Sequence, residues 1–521
     1  MNAPTNLGEL IDRTADPHAL ALVELDETLT AVEYTFGELD ALAESVAASL
    51  AARYERGERV ALLAANSAHY VATVLGIMRA GLIAVPVNFR FPRALIADVI
   101  ADSGARLVFC DAKRMADVPT GFAAVAFDAR AMELPERLPP NVTLFSSFIA
   151  NERGTRVTAI VPHADEPALM LYTSGSTGRP KGVVLSHRSH LWVVRTRLQS
   201  QPLQGERVLI AAPLFHMNAL ALAFLALAAR ATIVMLPQFD AANYIRAVTG
   251  WRCTWLTAVP PMIAMMMQEH ALLAQSDFSS VRYVRMGSAP VSAALQEQIR
   301  ALLPNARVIN AYGTTEGGPV VFGPHPQDLP TPPLSVGAAH PLVSLRLVDE
   351  YGAEADEGEL ELRSPALMNG YHNRPDLRAP LTPDGYYRTG DVFQRDTDGF
   401  YTFVGRRDDM FVCGGENIYP GEVERMLERH PLVAQACVVP VPDAIKGEKP
   451  VAFVVLKAAA QTDEKALKRF ALEQAPAFQH PRRVWFVGAL PVASTNKFDR
   501  ASLKADAVRR IAMPSATYLD Q

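Results

Sequence analysis

The densest chemistry in the chain lies in LYTSGSTGRPKG, residues 171–182. An apolar run, residues 168–172, gives way to Thr173, Ser174, Gly175, Ser176, Thr177 and Gly178, and Lys181 closes the segment. Glycine lets a backbone fold back so that successive N–H groups converge on one point. The hydroxyls add donors, and the lysine adds a compact positive charge. Such a set can seat a chain of phosphates; the plainer alternative is a Gly/Ser/Thr surface turn. A Walker loop is excluded, because that motif needs G-x-x-x-x-G-K-[ST] and here Arg179, Pro180 and Lys181 follow Gly178.

Further on, NAYGTTEGG (residues 310–318) ends an apolar stretch in a glycine turn. Tyr312 offers a flat ring for stacking, and Thr314, Thr315 and Glu316 present oxygens. A polyphosphate needs a hard divalent cation, held by one or two carboxylates and by phosphate oxygens. Glu316 is the candidate ligand, although T-T-E is also a helix-capping pattern. In YRTGDV, Asp391 follows a glycine turn and can accept both hydrogen bonds of a ribose diol. It can equally be an ordinary turn aspartate. The segment GRRDDMFVCGGENIYPGEVE (405–424) adds Arg406, able to reach the same ribose, and Gly414–Gly415, where a thin ligand can pass close to the backbone. Near the end, PVASTNKFDR contributes Lys497.

These residues need scaffolds. At 521 residues the chain implies two or more domains. A hydrophobic share of 49% and a charged share of 20% describe an ordinary globular protein. The formal net charge of −5 and the lack of basic runs argue against nucleic acid as a partner. Cys110, Cys253, Cys413 and Cys437 are scattered, which suggests buried thiols in a reducing, cytoplasmic setting. The N-terminus lacks a signal-peptide pattern, and the longest apolar run, residues 219–229, is too short to span a bilayer. It reads as a buried helix.

Up to about residue 400, strand and helix patterns alternate. Residues 59–87 read strand, helix, strand, and strands are expected at 207–211, 232–236, 254–260, 281–287 and 306–313. That alternation suggests parallel sheets covered on both faces. From Ser335 the strands become short and turn-rich, as in a small barrel. After residue 409 the pattern restarts as a compact α+β unit, with Pro420 opening one helix and an acidic first turn opening another.

Taken in order, the four blocks resemble the adenylate-forming superfamily, in its acyl- and aryl-CoA synthetase branch, over essentially the whole chain. The resemblance implies an α/β fold: a large N-terminal domain of two doubly wound sheets plus a small β-barrel, with a smaller mobile α+β C-terminal domain. The implied boundaries are 1–405, a hinge at 406–408, and 409–521. It implies ATP and CoA as cosubstrates, Mg as cofactor, and a small carboxylic acid that is first joined to AMP and then passed to the CoA thiol. A homodimer is compatible with it.

By the same resemblance, Thr173 to Lys181 hold the β- and γ-phosphates, and Glu316 binds Mg. Tyr312 stacks on adenine, with Ser288, Ala289, Pro290, Asn310, Ala311 and Gly313 around it. Asp391 and Arg406 hold the ribose. Lys497 bridges the carboxylate and the α-phosphate, although Asn496 stands where the family often has glycine. Asp408 matches the hinge, so that rotation exchanges Lys497 for Gly414 and Gly415 beside the pantetheine. Arg90, Phe478 and Arg482 match CoA contacts, with His480 where a cation might be expected. The implied acyl pocket comprises His216, Met217, Asn218, Thr257, Gly287, Gly313, Gly317, Gly318 and Val336.

None of those pocket residues is a fixed cation, which favours a hydrophobic monocarboxylate, fatty or aryl. Phe215–His216 stands where amino-acid-activating relatives usually carry Phe-Asp, which disfavours an amino acid. His216 is either a gate or a core histidine. The chain ends soon after Lys497, so no carrier domain is expected to follow. The alternatives are an enzyme that loads an acid onto a carrier protein and a non-catalytic nucleotide or acyl binder.

Overall fold

The computed structural model describes residues 4–128, 138–173, 180–200, 203–289, 291–374, 380–413, 416–443, 445–458, 460–493 and 498–512. Two large sheets form the body of the N-terminal region. One has eight strands, in the order Gly370–Tyr371, Lys181–Ser186, Pro167–Thr173, Ile83–Pro86, Arg59–Leu63, Ala105–Cys110, Ala124–Ala126 and Val142–Leu144. From Pro167–Thr173 onward its neighbours run parallel, and the first two pairs are antiparallel. The other has seven: Arg307–Ala311, Tyr283–Gly287, Trp255–Ala258, Arg207–Ile210, Thr232–Met235, Leu20–Leu25 and Ala31–Thr35. Only its last pair is antiparallel.

The strands expected from alternation are all present, shorter by one to three residues at their ends. The helix Ala68–Arg79 starts where Ser67 caps the Tyr70 N–H, and its side chains are buried over almost its whole length. It packs beside Phe36–Ala51, whose start is fixed by a capping box between Thr35 and Glu38. The apolar run becomes the helix Met217–Ala228, buried on most of its surface. One continuous hydrophobic cluster joins these helices to both sheets. Helices covering parallel strands on both faces explain why those strands are apolar throughout rather than alternating.

The turn-rich stretch forms a six-stranded antiparallel sheet in the order Phe322–Gly323, Ser335–Ala339, Phe400–Arg406, Tyr387–Arg395, Glu357–Arg363 and Ser344–Val348. It curls around Phe393, Tyr401, Leu360 and Leu362. Among the described residues its two edge strands do not pair with each other, so the expected barrel is open on one side.

The C-terminal region is a smaller α+β body. Strands Val433–Asp443 and Gly447–Leu456 form a long antiparallel pair, with Phe411–Cys413, Glu416–Ile418 and Val484–Phe486 beside them. Helices Pro420–Glu428 and Glu464–Gln474 cover one face, and Arg500–Ala512 covers the other. Among the described residues no helix is long and apolar enough to cross a membrane.

Candidate active site

A cavity of about 1460 Å³ opens between the N-terminal sheets, the antiparallel sheet and the C-terminal body. Single-ligand pockets usually span ~300–1,000 Å³, so this one has room for more than one reactant.

Thr173 ends one strand and Lys181 begins the next, and the two stand opposite each other in an antiparallel pair. The hairpin is therefore closed at its base, with both residues on the cavity wall. Ser174, Gly175, Ser176, Thr177 and Gly178 lie outside the described residues. The short strand Gly370–Tyr371 pairs with Val184 and Val183 and brings Tyr371 beside the hairpin. Lys181 Nζ sits 5.5 Å from the centre of the Tyr371 ring, and the Tyr371 hydroxyl donates to Glu316 Oε1 at 3.2 Å. Sequence reasoning missed Tyr371, because nothing in the dipeptide Gly-Tyr marks a site.

Burial raises the Glu316 pKa above its ordinary value, while its own backbone N–H, the Tyr371 hydroxyl, Arg406 and Lys181 pull the other way. A divalent cation would remove that burial penalty. Among the described residues no group of three His, Cys, Asp or Glu side chains could enclose a metal ion. The donor set thus fits a cation held by one carboxylate and completed by phosphate oxygens, the arrangement usual for Mg.

Asp391 and Arg406 face each other across neighbouring antiparallel strands. Asp391 is 4% exposed; its Oδ1 accepts from Arg406 Nη1 at 3.0 Å and its Oδ2 from the Tyr312 hydroxyl. Burial, the Asp391 charge and its hydrogen bond raise the Tyr312 pKa, so the hydroxyl stays protonated and donates. Its ring packs edge-on to Phe393, with centroids 4.8 Å apart. Asn310, Ala311, Gly313, Thr314 and Thr315 continue along the wall, as do Ser288 and Ala289; Pro290 lies outside the described residues. Ser288 adopts φ of +66°, in the left-handed region that residues with side chains seldom occupy.

Around the acyl region the structure gathers His216, Met217, Asn218, Gly287 and Val336, but not Thr257, Gly317 or Gly318. Thr257 is buried, and its hydroxyl accepts from the Trp255 indole at 3.1 Å. A Cβ on Gly318 would stand 2.4 Å from that of Ala366, and one on Gly317 2.9 Å from Thr314 Oγ1. Those two glycines serve the turn and its packing, not pocket volume. The structure also adds a cation that the expected pocket lacked: Arg285, on the strand Tyr283–Gly287, lines the same wall. A signal existed, since a lone arginine between Val284 and Met286 in an apolar strand calls for a reason.

The C-terminal body contributes Pro420, Glu424, Arg425, Phe498 and Arg500 to the cavity. Arg500 forks onto Glu424, with Nη2 at 2.7 Å from Oε2, and also donates to the Val438 carbonyl. That half-buried pair ties the helix Arg500–Ala512 to Pro420–Glu428. Lys497, Gly414 and Gly415 lie outside the described residues, and Val492 pairs with Phe498 in an isolated bridge. Asp408 lines the cavity in the turn after Arg406, 3.7 Å from Arg406 Nη2. Arg90, Phe478 and Arg482 are not on the cavity surface. Arg482 Nη1 lies 2.7 Å from His480 Nδ1, Phe478 packs on the C-terminal core, and Arg90 sits between the lining residues Asn88 and Phe91.

The family model described as AMP-binding enzyme matches residues 12–372, and that described as AMP-binding enzyme C-terminal domain matches residues 422–497. The fatty acid–[acyl-carrier-protein] ligase ScoC of Streptomyces coeruleorubidus is 33% identical, over 92% of this chain and 93% of its own length. A sulfoacetate–CoA ligase of Cupriavidus necator is 31% identical, over 90% and 92%. Among solved structures, ATP-bound MatB from Rhodopseudomonas palustris superposes with a TM-score of 0.84 at 28% identity, over 98% of this chain and 99% of that one.

Proposed function

The chain belongs to the AMP-binding enzyme family, and from that premise we propose that it activates an organic acid with ATP and then passes the acyl group to coenzyme A. It is an AMP-forming acid–thiol ligase. The observation that carries the proposal is the convergence of Thr173, Lys181, Glu316, Asp391 and Arg406 on one cavity shared by both domains.

In the first step the acid's carboxylate attacks the α-phosphate of ATP, giving acyl-AMP and pyrophosphate. Both partners are anionic, so charge neutralisation and alignment limit the rate. Lys181 and the hydroxyls of the hairpin meet the departing phosphates. Glu316 is the residue that would hold Mg, which when bound neutralises phosphate charge. Asp391 and Arg406 fix the ribose, Tyr312 borders the adenine, and Lys497 meets the α-phosphate and the attacking carboxylate. In the second step the CoA thiol displaces AMP. A turn of the C-terminal body about Asp408 exchanges Lys497 for the glycines at 414 and 415, and such closure can set turnover.

The acid has an apolar body, because Phe215, Met217, Val259 and Val336 line the same cavity. A cytoplasmic setting suits the four buried free thiols. One further reading has specific support: the 33% identity to an acyl-carrier-protein ligase allows a carrier-bound phosphopantetheine thiol as acceptor. The test is thioester formation across fatty, aryl and dicarboxylic acids, with CoA and a phosphopantetheinylated carrier protein as competing acceptors. ATP-dependent acyl-CoA production supports the proposal; turnover with the carrier alone assigns the second reading.

A further inference from the structure

Arg285 is the feature of the acyl wall that the ligase chemistry leaves unexplained. It stands on an inner strand between Val284 and Met286, both buried, while its own side chain is half-buried on the cavity wall. Its Nη1 donates to Asn218 Oδ1 at 3.3 Å. Its Nε is buried with no acceptor among the described residues, and so is Asn218 Nδ2. A guanidinium only donates, so Asn218 must turn its oxygen toward Arg285, which aims its NH2 group elsewhere. Both side chains line the cavity.

No carboxylate lies within ion-pair distance of Arg285 among the described residues. Burial, with the like charge of Arg197 beside it, pushes its pKa down to about 9. A partly buried charge without a counter-ion is unfavourable, and protein interiors nearly always pair such groups. Held by Asn218 and bordering the cavity, the Arg285 guanidinium forms a seat for an anion that the protein itself does not supply.

We propose that Arg285 and Asn218 bind a second anionic group, a carboxylate or a sulfonate, at the far end of the acid that the enzyme activates. This rests on the ligase proposal and narrows its substrate to an acid with an oxyanion at each end and an apolar middle. The near carboxylate becomes the acyl group. The far oxyanion pairs with the cavity-facing side of the Arg285 guanidinium, which Asn218 holds in place through Nη1, a charge-assisted contact. The plain fatty or aryl monocarboxylate expected from sequence would leave the guanidinium without an anion, and an apolar tail would be driven against it.

The test is ATP–pyrophosphate exchange with length-matched ladders of α,ω-dicarboxylic, ω-sulfo and unsubstituted alkanoic acids, on the wild type and on Arg285→Met and Arg285→Lys. The wild type should prefer one anionic ladder, and which of the two it prefers identifies the oxyanion. In Arg285→Met the kcat/KM ratio of anionic to unsubstituted acid should fall by about 30-fold or more, as when a buried charge loses its partner. Arg285→Lys should retain part of the preference. The preferred dianion should also raise the melting temperature of the wild type and not that of Arg285→Met, a readout independent of turnover. Wild-type preference for the unsubstituted acids, or an unchanged ratio in Arg285→Met, would overturn the second-anion site and leave the ligase proposal standing. Silence with every acid would remove both.

Discussion

Removing the Asp391 carboxylate tests the nucleotide site at its most connected point. Asp391 is buried, and it accepts from Arg406 and from Tyr312 at once. Asp391→Ala leaves a guanidinium and a hydroxyl without their acceptor. Breaking a buried pair costs roughly 3–5 kcal/mol. The Arg406 side chain is 44% exposed, so solvent screening reduces that, and about 1–3 kcal/mol of stability should be lost. For ATP the loss is larger in effect. Two hydrogen bonds from a ribose diol to a carboxylate contribute about 1.5–3 kcal/mol each. Taking about 3 kcal/mol in total, with every 1.4 kcal/mol a factor of ten, the affinity for ATP should fall by over 100-fold. Asp391→Asn keeps one acceptor and the shape, so its loss should be nearer tenfold. The assays are ATP titration by calorimetry and the KM for ATP in pyrophosphate exchange, with melting curves to separate folding from binding. A folded Asp391→Ala protein that binds ATP within threefold of the wild type would refute the reasoning.

Three other outcomes are expected. Lys497→Ala should slow acyl-AMP formation on the order of a hundredfold or more yet still make thioester from supplied acyl-AMP; equal loss of both half-reactions would contradict domain alternation. Asp408→Pro, which fixes φ in the turn after Arg406, should do the reverse, and an undiminished second step would remove the hinge. Burial pushes the Glu428 carboxyl from its usual value of 4.5 up to about 8. The neutral group's contribution to stability is therefore complete below about 4.5 and is lost as pH rises toward about 8. Glu428→Gln should gain in melting temperature relative to the wild type across that window; a difference that stays constant with pH would disprove the shift.

Much of the fold was legible because its signals are local. The parallel strands show as apolar runs, Pro420 marks a helix start, and the change to short strands after Ser335 marks a new sheet. Thr173, Lys181, Glu316, Asp391 and Arg406, which the structure gathers on one cavity, stood out in sequence because polar loop residues concentrate in short motifs. What escaped depends on pairings distant in sequence. Tyr371 reaches Glu316 only because its strand joins the edge of a sheet begun far earlier in the chain. Arg285 meets Asn218 across 67 positions. Gly317 and Gly318 misled because a glycine can mean pocket volume or a tight turn, and only the nearness of Ala366 and Thr314 decides. The CoA contacts stay unassembled, since Arg482 is engaged by His480 and Arg90 lies off the cavity surface.

The central claim is that this cavity joins an acid to AMP. Its most direct measurement is radiolabelled ATP–pyrophosphate exchange by purified protein offered a broad set of acids with Mg present. The account predicts acid-dependent exchange of labelled pyrophosphate into ATP, with AMP and thioester released once CoA is added. Exchange that is absent for every acid, or ATP cleavage to ADP instead, would contradict it.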